Sequence, residues 1–141
     1  MRASRYIYKM QTFLPYAEIE QCVKCLDWRR LGNQRNEGNI IYRTLRGFSS
    51  GWRNHPAVQM WENYEDFLAE YVNACITEWQ RRGYKNTMSL LPVSNPIRPW
   101  WWNGRIHSSH RAALLAKNYD WYSQFNWVEE PKIEYYWPIE A

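Results

Sequence analysis

Apolar positions along the chain recur with the period of an amphipathic helix. Ile19, Cys22, Val23, Leu26, Ile40 and Ile41 fall at helical spacing between residues 17 and 46, and Gly47 supplies a stop. This spacing predicts a first long helix. Gly32 and Gly38 sit inside it at a cost of up to about 1 kcal/mol each relative to alanine, which calls for a kink or a close approach by another element. A second helix is predicted from Asn54-His55-Pro56, a cap followed by a proline suited to the first turn, as far as Gly83. Trp61, Tyr64, Leu68, Tyr71, Val72, Cys75 and Trp79 form its apolar stripe, and Glu62, Asp66, Asn73 and Gln80 an ordinary solvated face. From 84 to 105, prolines 92, 96 and 99 break any regular element and leave a long ordered loop. Ser108 or Ser109 is placed to cap a third helix running to about Phe125, and the aromatic, proline-punctuated stretch 127–141 to pack back as extended chain. Residues 1–9 are basic and aromatic without a helical period and read as an arm. The pattern predicts an all-α fold over residues 10–141, a single domain of about three main helices with long ordered loops and an extended aromatic tail.

The first helix carries an anomaly. At 100° per residue, Arg30, Asn33, Gln34 and Glu37 project within about 60° of the direction taken by Ile19, Val23, Leu26, Ile40 and Ile41, so polar groups interrupt the core stripe. A helix needing only stability would use leucine there, because burying an unpaired charge costs several kcal/mol. Two arrangements satisfy the pattern: a closed Arg30–Glu37 network on one face, or the polar floor of a pocket open to a ligand, which is the reading we favour. Asp27 lies beside the stripe, and Arg29 and Arg35 flank it. Guanidinium groups hold phosphates, while a carboxylate shielded from water acts as a general base or stabilises a developing cation, as departure of a base from its sugar requires. Glu37 is therefore the leading catalytic candidate and Asp27 the second. Arg53, Arg98, Arg105, His110, Arg111 and Lys117 are candidates to extend the phosphate-binding surface, and Trp100, Trp101 and Trp102 to stack on a base.

Composition narrows the partner. The net charge is +4, the basic residues are mostly arginine, and ten tryptophans and eleven tyrosines offer flat platforms beside their use as core. Double-stranded DNA or a nucleotide is the expected partner; a protein docked on the tryptophan loop explains the helix-one stripe least well. No apolar run approaches the roughly 20 residues needed to cross a bilayer, and Cys22, Cys25 and Cys75 sit in helical patterns, so thiols in a cytoplasmic protein are expected. Cys22-x-x-Cys25 with His107-x-x-His110 is a poor zinc set, its cysteines inside a helix and its histidines too close. No metal or cofactor is expected, and no nucleotide-binding glycine loop or serine elbow is present.

The order of these features resembles the phage-type pyrimidine-dimer DNA glycosylases, the ultraviolet endonuclease V family. The resemblance runs from about Met10 to Tyr122, through Leu26-Asp27-Trp28-Arg29-Arg30-Leu31, Glu78-Trp79-Gln80-Arg81-Arg82-Gly83-Tyr84, and Ser109-His110-Arg111 followed by Lys117 and Trp121-Tyr122. It implies a helical DNA-repair fold, contact with a distorted duplex, flipping of a base or nucleotide, and excision at a thymine dimer with strand nicking as a possible further step. It also implies phosphate contacts at Arg29, Arg30, Arg35, Arg111 and Lys117. Family members use an α-amino group exposed by methionine removal, together with a helix-one glutamate. Here Met1 precedes Arg2, Met10 precedes Gln11, and Arg29-Arg30 stands where an Arg-Glu pair is expected. The expectation is a DNA N-glycosylase of the pyrimidine-dimer or modified-base type, with the amine-based AP lyase step left open; the alternative is a non-catalytic nucleotide-binding or sequestering protein on the same scaffold.

Overall fold

The computed structural model describes residues 10–49 and 52–139, and the expected arm at 1–9 lies outside them. The helices are α1 (Ile19–Cys25), α2 (Trp28–Leu45), α3 (Pro56–Gln59), α4 (Glu65–Arg81), α5 (Gly104–Lys117) and α6 (Tyr119–Tyr122), followed by a 3-10 turn at Ser123–Phe125. No strand occurs among the described residues, so the fold is all-α, with α2, α4 and α5 as the three long helices.

The predicted first helix is two helices. Leu26 and Asp27 are extended, with ψ of 136° and 162°. Their geometry is imposed from the far end of the chain: the Asp27 N–H donates to the Tyr122 hydroxyl at 3.1 Å, and that hydroxyl donates to Asp27 Oδ1. Trp121 Nε1 takes the Cys25 carbonyl at 2.7 Å, closing α1. The predicted second helix is also interrupted. His55 Nδ1 accepts from the Ala57 N–H at 2.9 Å and starts α3 as expected of a cap, but Asn63 adopts φ of 75°, and α4 begins only beyond it. The third begins earlier than the serines predicted, because Asn103 Oδ1 accepts from the Arg105 N–H at 3.0 Å. Ser108 and Ser109 instead hold the tail, through Glu129 at 2.9 Å and the Tyr136 N–H at 2.8 Å.

Both predicted glycine stops hold. Gly47 (φ 84°) and Gly83 (φ 91°) are left-handed, and the next N–H reaches back to Arg43 O at 2.8 Å and to Trp79 O at 3.2 Å, the Schellman pattern. The interior glycines mark where α2 meets α4. A Cβ on Gly38 would stand 2.8 Å from Val72 Cγ2, and one on Gly32 would stand 3.1 Å from the Trp79 ring. Around this crossing, Leu14, Leu31, Ile41, Leu68, Tyr71, Trp61 and Ile106 are buried, and Tyr135, Trp137 and Trp127 of the extended tail pack against them. No helix among the described residues is long and apolar enough to cross a membrane.

Candidate active site

The segment Met10–Leu14 is buried although it is neither helix nor strand, so its backbone polar groups need side-chain partners. Gln34 supplies two of them: its Oε1 accepts from the Phe13 N–H at 2.7 Å, and its Nε2 donates to the Gln11 carbonyl at 2.7 Å. The single O–H of Tyr71 is shared between the Phe13 carbonyl at 2.8 Å and Gln34 Oε1 at 2.7 Å. His110 Nδ1 accepts from the Leu14 N–H at 2.9 Å, and His107 Nδ1 faces the Leu14 carbonyl at 2.7 Å. These partners place the proton of His110 on Nε2 and that of His107 on Nδ1. Burial pushes His110 down to about 3, so it is neutral near pH 7. Arg111 Nη1 donates to the Pro15 carbonyl at 2.8 Å and its other nitrogens grip Glu129.

This buried segment forms one wall of a cleft of about 440 Å³ whose floor is α2. Arg29, Arg30, Asn33, Gln34, Asn36, Glu37 and Ile40 line it from the helix, with Met10 and Phe13 from the segment, Trp52 from the loop before α3 and Lys117 from the end of α5. The polar stripe does not close on itself. Arg30 pairs with Asp27 at 3.2 Å, and Glu37 Oε1 accepts from the Gln11 peptide N–H at 3.3 Å. Burial raises the Glu37 carboxyl to about 7, against the lowering pull of that N–H and of the Lys117 ammonium. The tail completes the surroundings: burial raises the Tyr135 hydroxyl to about 12, and it feels both the Glu37 charge and, in the opposite sense, Arg30.

The expected site residues divide sharply. Arg29, Arg30, Gln34, Glu37 and Lys117 come together at the cleft. Asp27 does not line it; this carboxylate is buried against Tyr122 and Arg30 and shapes the α1–α2 break. His110 is fully buried and Arg111 is committed to Glu129 and Pro15, so both act on the segment that walls the cleft. Arg35 lies over Trp79 at 4.6 Å and donates to Asn86, in a groove beside the cleft. Arg53, Arg98 and Arg105 are exposed outside the lining, Arg105 over the Tyr136 ring at 4.1 Å. Of the tryptophan run, Trp101 (1 % exposed) and Trp102 (8 %) are core, with their indole N–H groups on Met60 O and Ala17 O, while Trp100 is 68 % exposed and not part of the lining. Packing settles this difference, since a buried indole is stable where its N–H finds an acceptor.

Trp52 and Tyr135 are the aromatics that sequence reasoning missed. Trp52 is preceded by glycine and followed by Arg53 just before a capped helix, a signal strong enough to have drawn attention beyond its arginine. Tyr135 carried no such signal.

A family model for pyrimidine dimer DNA glycosylases matches residues 10–92, from the buried segment through α4. No curated protein and no solved structure matches the chain.

Proposed function

The chain belongs to the pyrimidine dimer DNA glycosylase family, and from that premise we propose that it excises a damaged pyrimidine, or another altered base, from duplex DNA at the cleft on α2. The observation that carries this reading is Glu37: a carboxyl held at about 7 in an open cleft lined by Arg29, Arg30 and Lys117. A group titrating near the working pH is both a competent proton acceptor and, once ionised, a counter-charge for the cation that develops on the sugar as the base departs. Arg29 is exposed at the rim and Arg30 is oriented by Asp27, a placement suited to phosphate oxygens on either side of the target nucleotide. A flipped nucleotide fits a site of this volume, with Trp52 as the surface on which its base stacks.

The test is to incubate the protein with ultraviolet-irradiated and unirradiated duplexes, treat both with alkali and resolve strand breaks. Breaks confined to irradiated DNA support the proposal, and their absence from both irradiated and modified-base duplexes refutes it. A second reading, a protein that holds a free nucleotide without chemistry, is favoured by the cleft's size, about that of one nucleotide. A mononucleotide at a hundredfold excess over its Kd would then add about 2.7 kcal/mol of stability while duplex DNA adds none.

A further inference from the structure

Gln34 lines the cleft one turn before Glu37 on α2, yet its amide is engaged within the protein. Its Oε1 accepts from the Phe13 N–H at 2.7 Å and from the shared Tyr71 O–H at 2.7 Å, so both lone pairs of that oxygen are taken. A peptide N–H can only donate, which fixes the amide orientation and turns Nε2 to the Gln11 carbonyl at 2.7 Å. One side chain thus grips the segment twice, on the C=O of residue 11 and the N–H of residue 13. Met10–Leu14 is buried without being helix or strand, so no ladder of its own holds it in place. Burial keeps the Tyr71 hydroxyl protonated, so it remains a donor to this grip near neutral pH. The other side of residue 11 is what the grip delivers: the Gln11 N–H donates to Glu37 Oε1 at 3.3 Å.

We propose that Gln34 is a positioning residue for the Glu37 carboxyl: by clamping residues 11 and 13 it holds the Gln11 N–H against Glu37 Oε1 and leaves Oε2 to face the ligand in the cleft. What Glu37 does to that ligand rests on the glycosylase reading; the clamp does not. A carboxyl free to turn about its last bond spends only part of its time in a productive orientation, and pinning one oxygen removes that loss. The same N–H favours the charged form of the carboxyl, against the effect of burial. The other charged and titratable groups facing Glu37 are Lys117 from α5, Tyr135 from the tail, and Arg29 and Arg30 on α2 itself. A change made at residue 34 or 71 leaves all four side chains in the chain, so its effect on Glu37 reads the clamp.

The full chain, isotope-labelled, is titrated by NMR across the Glu37 midpoint, with the Glu37 carboxyl carbon assigned through Glu37→Gln. In wild type the Gln11 amide proton is expected to move downfield as Glu37 ionises, with the same midpoint as the carboxyl carbon. An amide that ignores that midpoint overturns the proposal, whatever the variants do. Gln34→Ala releases the clamp and is expected to raise the midpoint by at least about half a unit, because a lost N–H donor no longer favours the charged form. Tyr71→Phe keeps the amide but loosens it; a smaller rise is expected, and this variant carries the comparison if Gln34→Ala does not fold. An unchanged midpoint in variants that melt at lower temperature makes Gln34 a packing residue only and overturns the proposal. Alkali-revealed base release from irradiated duplex, followed against pH in the same proteins, tests the glycosylase reading separately. The midpoint of the rate is expected to move with that of the carboxyl, whereas a shifted carboxyl with no base release in wild type leaves the clamp standing and removes the chemistry assigned to Glu37.

Discussion

A carboxyl held at about 7 where 4.5 is usual has a cost that can be read in the stability of the molecule. The folded protein keeps the Glu37 proton longer than the unfolded chain does, so stability from this group declines as pH rises from about 4.5 through about 7. Glu37→Gln keeps the acceptor for the Gln11 N–H and removes that decline. The variant is expected to equal wild type near pH 5 and to exceed it at pH 8 by about 2 kcal/mol in urea unfolding, allowing for water that reaches an open cleft. Stability gained by deleting a side chain that the chain nevertheless carries is the mark of a group retained for work. His110 runs the other way: its pKa lies below the usual 6.5, so its contribution is lost as pH falls through that value toward 3.

Among the elements, α2 and its two joints decide whether the cleft exists. Tyr122→Phe removes a hydroxyl that both accepts from the Asp27 N–H and donates to its carboxylate, leaving buried groups unpaired at the α1–α2 break. A loss of about 2–3 kcal/mol is expected in chemical denaturation, with weaker DNA binding because Asp27 orients Arg30. Gly38→Ala would help an isolated helix by up to about 1 kcal/mol, but its Cβ would stand 2.8 Å from Val72 Cγ2. The contact with α4 outweighs propensity, and a net loss of about 1–3 kcal/mol is expected from the same measurement. These elements also show what a sequence can disclose. The polar stripe, the His55 cap and the glycine stops were legible because each is written within one turn of the residue concerned. The break at Asp27 was not, since its partner lies 95 residues away. Nor was the fate of the tryptophan run: adjacent indoles look alike as letters, and only the positions of the Met60 and Ala17 carbonyls make two of them core and leave Trp100 outside.

Over the whole molecule, the buried Met10–Leu14 segment, α2, the loop at Trp52 and the end of α5 converge on one basic cleft in a chain of net charge +4. Duplex binding through Arg29, Arg30 and Lys117 is expected to weaken with salt at a log–log slope of about −2.7, and Arg29→Ala to flatten that slope by about 0.9, as read by fluorescence anisotropy across a salt series. A slope near zero would mean that phosphates are not what the cleft holds. The proposed chemistry centres on Glu37, and one comparison reaches it directly: the rate of alkali-revealed base release from ultraviolet-irradiated duplex at pH 8, wild type against Glu37→Gln, with duplex affinity measured alongside. The account predicts that wild type releases the base and that Glu37→Gln loses at least about 100-fold in rate while binding the duplex as well; equal rates in the two proteins would contradict it.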